Sequence, residues 1–385
     1  MDAGPLPPPR LPHNPWRPHD CDRIALVLQG GGALGAYQAG VYQGLHEAGL
    51  EPDWVAGVSI GAINSAIIAG NMPDQRLARL REFWENVTSR RVWMYTPDGD
   101  TPRKLRNAYS TALTTLYGQP SFFEPNFPGP WYSLRGAKTA TSYYDSAPLR
   151  ETLLRLVDFD LLNSGLTRYA SGAVNVTNGN FAYFDNARTE IQPEHVMASA
   201  ALPPAFPMVH IGTDAYWDGG LVSNTPLQHL ADNAGHNNVL IFQVDLFSAR
   251  GALPRDMYEV LGRQKDIQFS SRTRLVTDNL MRRHRQNRLL KRTLDGLADE
   301  TLDEEQLEAK HRLSDMPQLT ILQMIYQQAA YEGQAKDFEF SGTSMREHWD
   351  SGYRDTKRTL RRKTWLAMPG ADVGIAVHDV HRVDD

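Results

Sequence analysis

Gly57-Val58-Ser59-Ile60-Gly61 sets a serine between glycines, and Gln29-Gly30-Gly31-Gly32-Ala33-Leu34-Gly35 puts three consecutive glycines a short way before it. The first pattern fits a nucleophile elbow, a sharp strand-to-helix turn that holds the hydroxyl exposed and needs small neighbours. The second fits an oxyanion hole, because a glycine-rich turn opening a helix presents backbone N–H groups that have no intrahelical partner. A serine hydroxyl is a poor nucleophile until a base takes its proton and donors stabilise the oxyanion that forms. The candidate base is Asp218 in Ala215-Tyr216-Trp217-Asp218-Gly219-Gly220, an acid between an aromatic strand end and two glycines.

Two rival chemistries use similar residues. Gly30, Gly32 and Gly35 also fit the dinucleotide fingerprint, which asks for an acid at the end of the second strand. Asp53 has the spacing, yet it opens that strand, so its carboxylate falls at the wrong edge of a sheet. A Ser/acid/His triad would place its histidine after the acid, which makes His229 and His236 the formal candidates. Neither has a glycine-rich, strand-end setting, and His195 and His210 precede the acid. The plainest alternative is that the glycines serve only a tight turn and close helix packing.

The elements around these turns set the geometry. Ile24 to Leu28 is a continuous apolar run, as expected of a strand buried on both faces, and Leu34 to Ala48 has helical spacing. Trp54-Val55-Ala56 predicts a second strand, and the small-residue stretch Ile60 to Ala69 a buried helix. Tyr144 to Val157 predicts a helix with Pro148 in its first turn. Asn178-Gly179 predicts a hairpin between Leu166–Thr177 and Asn180–Asp185. Val239 to Leu246 reads as another buried strand, Gly251 to Leu313 as mostly helical, and Gln318 to Tyr326 as a strand with helix as its alternative. A last helix runs from Ser344 to Arg362, with Ser344 and Glu347 as a capping box. Phe338 to Phe340 is a candidate strand returning to the core.

The three motifs, Gly30-Gly31-Gly32, Gly57-Val58-Ser59-Ile60-Gly61 and Asp218-Gly219-Gly220, resemble in that order those of the patatin-like phospholipases. The stretch from Ala198 to Phe206 and Pro207 is similar to the small-residue and proline segment that precedes the acid in that family. The resemblance covers residues 22–246 and implies a Ser–Asp dyad without histidine: Ser59 as nucleophile and Asp218 as general base. It implies an oxyanion hole from Gly30, Gly31, Gly32, Ala33 and Ile60, with Gly35, Gly57, Gly61, Gly219 and Gly220 as motif glycines. It also implies a three-layer α/β/α fold with a mostly parallel sheet, and a lipid or other acyl ester as substrate. The scheme requires no metal and no organic cofactor. Gln29 and Leu34 depart from the commonest pattern, which has an Asp before the glycines and an Arg or Lys after them. Thioesters, short-chain esters and polymeric hydroxyacid esters are alternative substrates. A lipid-binding scaffold without activity is the alternative of another class.

Composition frames the rest. At 385 residues and 41% hydrophobic, the chain can bury one large core plus an appendage. The single cysteine, Cys21, excludes an intramolecular disulfide. No stretch approaches the roughly 20 apolar residues of a membrane span, which fits a cytoplasmic enzyme. A net charge of −5 argues against nucleic acid as partner. Residues 1–20 are proline-rich and read as a disordered lead-in, and 247–385 as a mainly helical C-terminal extension packed on the core. Within that extension Arg272, Arg274, Arg282, Arg283, Arg285, Arg288, Lys291 and Arg292 interleave with Leu275, Val276, Leu280, Met281, Leu289 and Leu290. This amphipathic helix either packs on the core through its leucines or docks at a membrane surface on anionic lipid. Tyr117 to Tyr132, dense in proline, glycine and aromatics, reads as a packed irregular loop or as an acyl-chain wall built from Phe122, Phe123, Phe127 and Trp131.

Overall fold

The computed structural model describes residues 17–89, 99–314, 316–329, 331–370 and 372–381. Residues 1–16 of the proline-rich lead-in lie outside these. The strands of the main sheet are β1 (Arg23–Leu28), β2 (Trp54–Gly57), β3 (Arg168–Asn175), β4 (Phe181–Asp185), β5 (Val209–Ile211), β6 (Asp214–Asp218), β7 (Val239–Asp245), β8 (Leu319–Ile325) and β9 (Ile375–Asp379). They form one sheet in the order β9-β8-β7-β1-β2-β3-β6-β5, with β4 also pairing β3. Neighbours from β9 through β3 are parallel, whereas β4, β5 and β6 join antiparallel. The apolar run of β1 lies at the centre, and Ile24 to Leu28 are fully buried.

Helices α1 (Ala36–Glu47), α2 (Ile60–Ala69) and α3 (Pro73–Val87) follow the first two strands. Beyond them come α4 (Asp100–Tyr117), α5 (Ala147–Leu156), α6 (Phe159–Asn163), α7 (Pro193–Ser199), α8 (Leu227–Asp232), α9 (Met257–Asp295), α10 (Glu304–Ser314) and α11 (Gly342–Leu360). Alternation along the central strands divides the core between two faces. Ile24, Leu26, Val55, Phe242 and Leu322 face the side carrying residues of α1, α2, α3 and α11. Ala25, Val27, Trp54, Ile241 and Ile321 face the side carrying Leu227 and Leu230 of α8 and Leu280 of α9. The result is the expected α/β/α arrangement of three layers.

The chain after residue 246 enters both outer layers and the sheet. β8 pairs with β7 over seven residues and β9 with β8 over five. Helix α11 crosses α1 so closely that a Cβ at Gly40 would fall 1.9 Å from the Trp349 carbonyl. Some sequence expectations for this half need correcting. Ser341, not Ser344, caps α11: its hydroxyl accepts from Ser344 N–H at 3.3 Å. Glu347 instead pairs with Arg103 at 2.6 Å. Phe338 to Phe340 forms no strand; Lys336–Phe338 is a 3₁₀ turn. On α9, Leu280 and Val276 meet the core, but Leu275, Met281, Leu289 and Leu290 are exposed. The side chains of Arg272 and Arg274 lie outside the described ones.

Candidate active site

β2 ends at Gly57 and α2 starts at Ile60, so Ser59 occupies the turn between them at the parallel strands' C-terminal edge. Its backbone has φ 56° and ψ −125°, a sparsely populated region that costs about 1–3 kcal/mol and recurs at functional turns. The surroundings hold it there. Ser59 N–H donates to both the carbonyl and the Oγ of Ser199 at 3.1 Å, and Ser199 Oγ donates to the Gly172 carbonyl at 2.6 Å. Gly57 and Gly61 approach so closely that a Cβ on the first would lie 2.2 Å from the backbone of the second.

The preceding glycines curl beside this serine. A Cβ at Gly30 would lie 2.9 Å from Ser59 Cβ, and one at Gly32, whose φ is +54°, only 2.2 Å from the Asp337 carbonyl oxygen. Gly30 N–H donates to the Asn224 carbonyl at 3.3 Å, and Asn224 Nδ2 returns a bond to the Gly30 carbonyl at 3.0 Å. Gly30 thus spends its donor within the protein. The N–H groups of Gly31, Gly32 and Ile60 find no acceptor among the described residues. Ala33 is buried beneath the loop, and Gly35 packs on Ile60. Gln29 fastens the turn from below. Its Oε1 accepts from Leu246 and Phe247 N–H at 2.6 and 3.0 Å, its Nε2 donates to Thr225 Oγ1 at 3.1 Å, and its carbonyl accepts from Gln38.

Asp218 arrives from the other direction, at the end of antiparallel β6. It reaches the same edge because β3 overshoots β2: Gly57 pairs with Ser171, whereas Asp218 pairs with Ala173. Asp218 N–H donates to the Ala201 carbonyl at 3.0 Å, so the stretch 199–201 braces both the serine and the acid. The carboxyl is 1% exposed. Oδ1 accepts from Gly220 N–H at 2.7 Å, while Oδ2 has no aligned donor. Burial pushes its pKa up to about 7, against the smaller opposing effects of Gly220 N–H and the nearby Ser59 hydroxyl. Gly219 lies against the Gly172 backbone.

Ser59, Asp218, Gly30, Gly31, Gly32, Ile60 and Gly220 line one cleft. Its other walls are mostly apolar, with Phe122, Phe123, Leu202, Phe206, Phe247, Phe269, Phe338 and Phe340, beside Asn224 and Asp337. The volume is about 60 Å³, room for about two waters. Phe122 and Phe123 therefore stand where the acyl-wall reading puts them, but Phe127 and Trp131 are 95% and 84% exposed, turned away from the cleft. The residues missed by sequence reading are the cover. Phe269 comes from α9, and Phe338 and Phe340 from a strap held by two crossed ion pairs. Lys265 meets Asp337 at 2.7 Å, and Lys336 meets Asp266 at 2.7 Å. Nothing near Ser59 in sequence signals them.

The rival groups are engaged elsewhere. Asp53 accepts from Ile24 N–H at 2.8 Å and pairs with Arg17, at the opposite edge of the sheet. His229 Nε2 meets Asp185 Oδ2 at 2.9 Å beside Arg168, also at that edge, and stacks on Tyr183. His195 Nδ1 accepts from Gln192 N–H as part of the α7 cap. His210 and His236 are exposed. Among the described residues, no group of three His, Cys, Asp or Glu side chains is placed to hold a metal, and no described helix is long and apolar enough to cross a membrane.

Comparison with known proteins bears on the same segments. Residues 26–231 match the family described as patatin-like phospholipase, and residues 267–372 a second one described as patatin phospholipase. Patatin-like phospholipase domain-containing protein 6 of Mus musculus is 45% identical over 67 residues, 17% of this chain and 5% of that protein. Lysophospholipase nte1 of Aspergillus terreus is 52% identical over 50 residues, 13% of this chain and 3% of that protein. These matches span only a small part of the relatives' length. Among solved structures, VipD from Legionella pneumophila is 15% identical, with a TM-score of 0.35 over 88% of this chain and 67% of that one.

Proposed function

The chain belongs to the patatin-like phospholipase family, and from that premise we propose that it hydrolyses lipid acyl esters through a Ser59–Asp218 dyad. Asp218 takes the proton from Ser59 Oγ as that oxygen attacks the ester carbonyl. The N–H groups of Gly31, Gly32 and Ile60 receive the oxyanion, helped by the N-terminal dipole of α2. The alcohol or headgroup oxygen leaves with the proton held on Asp218, giving an acyl-enzyme. Water then repeats the sequence: Asp218 accepts its proton, the hydroxide adds to the acyl carbon, and the fatty acid departs as Ser59 recovers its hydrogen. Gly30, with its donor committed to Asn224, spaces the loop from Ser59.

The observation that carries this reading is the convergence on one apolar cleft of a serine in a strained turn, a buried acid of raised pKa and unpaired backbone donors. The phenylalanine walls favour a hydrocarbon chain over a polar acyl group. With Leu34 in place of a cation, the glycine loop adds no charge selection for the headgroup.

The test is intact-protein mass spectrometry after a fluorophosphonate. The wild type is expected to gain one adduct, mapped to Ser59, absent in Ser59→Ala and slower to form in Asp218→Asn. A wild type that stays unlabelled, while binding lipid, returns the protein to the scaffold reading. Hydrolysis of phospholipid, lysophospholipid, triacylglycerol and thioester substrates, scored as kcat/KM, then ranks the substrate classes.

A further inference from the structure

A second cavity lies away from Ser59, on the side of the sheet that carries α8 and α9. It is a groove of about 330 Å³ between one face of α9 and the chain entering the edge strand β9. From α9 come Met281, His284, Arg285, Arg288, Leu289 and Arg292. These residues recur every three or four positions, so they share one helical face that runs about 16 Å. Val373 and Ile375 form the other wall.

The groove is built. Gly374, with φ +73°, lets the backbone come so near that a Cβ there would lie 1.9 Å from His284 Nε2. Arg288 Nη1 donates to the Val373 carbonyl at 2.7 Å, which fixes the guanidinium and leaves its other N–H groups available. Arg285 makes no ion pair among the described residues, and Arg292 meets only the fully exposed Asp372, at 3.7 Å. Burial and the neighbouring Arg288 hold the His284 pKa below its ordinary value. The positive charge thus comes from three arginines, and no carboxylate lines the cavity among the described residues. Between them Met281, Leu289 and Val373 leave apolar surface in contact with water.

We propose that this groove binds a single-chain anionic amphiphile: the arginines take the carboxylate or phosphate head, and Met281, Leu289, Val373 and Ile375 take the first methylenes. Guanidinium matches either head with paired N–H donors. The volume falls within the range of small-molecule sites, about 300–1,000 Å³. A concave slot between helix and strand admits one chain, whereas a flat bilayer surface cannot fill it. The site stands independently of the Ser59 chemistry.

Photo-crosslinking locates the ligand without reference to activity. Decanoate carrying a diazirine is irradiated with the full-length protein, and modified peptides are mapped by mass spectrometry. The expected products carry label on peptides spanning Met281–Arg292 or Val373–Ile375. Arg285→Glu with Arg292→Glu is expected to cut that labelling about tenfold or more, with circular dichroism unchanged. The methyl ester of the same probe is expected to label this site weakly. Label confined to the Ser59 cleft, or equal labelling by acid and ester, overturns the proposal. Two further arms identify the source. Competition by inorganic phosphate but not by decanoate would make it a free-anion site. Labelling seen only when the probe is embedded in phosphatidylcholine–phosphatidylglycerol vesicles would make it a membrane contact. Either outcome refutes the single-chain amphiphile.

Discussion

A carboxyl group buried without a cationic partner keeps its proton to higher pH than an exposed one, and for Asp218 that shift reaches about 7. A general base must be ionised to act. The pH profile of kcat/KM is therefore expected to rise through about 7 and level above it; a profile already flat from pH 5 would remove Asp218 from the role. The same shift has a stability sign. A folded-state pKa above the unfolded value near 4 means the folded form holds the proton more tightly, so stability is lost as pH climbs from about 4 through about 7. Asp218→Asn escapes this loss, and its Tm relative to wild type should improve between pH 5 and pH 8. Gly32 offers a second residue-scale test. Because its φ is +54° and the Asp337 carbonyl fills the Cβ position, Gly32→Ala must move the loop. Loss of one oxyanion donor is worth about a hundred- to a thousandfold in kcat, with KM little changed. Ser59, the glycine turn and Asp218 could be singled out as candidates because elbow, glycine turn and acid each need a local pattern. Gln29 was not legible: its partners at Leu246 and Phe247 lie more than two hundred residues along the chain.

At the level of elements, the strap that carries Phe338 and Phe340 roofs the cleft beside Ser59. A space of about 60 Å³ is well below the roughly 300 Å³ at which ligand pockets begin, so a long acyl chain requires displacement of Phe338 and Phe340. Lys336 is nearly buried, and removing one member of a buried pair leaves the other uncompensated. Lys336→Met is expected to loosen the strap and raise kcat/KM for long-chain over short-chain esters several-fold, at some cost in Tm. An unchanged chain-length ratio would mean the strap does not gate entry. Strands with continuous apolar runs and the Asn178-Gly179 hairpin could be read directly, since their signals are contiguous. The strap could not: Phe338 and Phe340 carry meaning only once α9 and the glycine loop are folded beneath them. The α11 start misled because Ser341 and Ser344 both offer a hydroxyl, and the one that caps is decided by packing around Glu339 and Ser341.

For the whole molecule, the last part of the chain completes the sheet that the first part begins. Without β8, strand β7 would present a row of unpaired backbone groups beside fully buried Val239 to Val244, an aggregation-prone edge. Without α11, the face of α1 around Gly40 would be bare. A chain ending after residue 246 is expected to be insoluble or to unfold without cooperativity by calorimetry, even though it carries Ser59, Asp218 and every motif glycine. A soluble, cooperatively melting fragment would show instead that 22–246 is a self-sufficient unit. The parallel α/β architecture was legible from alternation of buried strands and helices, while the order in which late strands join the edge depends on contacts that no local stretch encodes.

The Asp337 carbonyl rests against Gly32, so a ribosome delivers the proposed nucleophile Ser59 long before it delivers the piece that finishes its surroundings. During synthesis the nascent polypeptide carries Ser59 in unfinished surroundings. Under the proposed reaction, ester hydrolysis would begin only after residues 336–340 have left the exit tunnel and settled, a delay written into the order of the residues themselves.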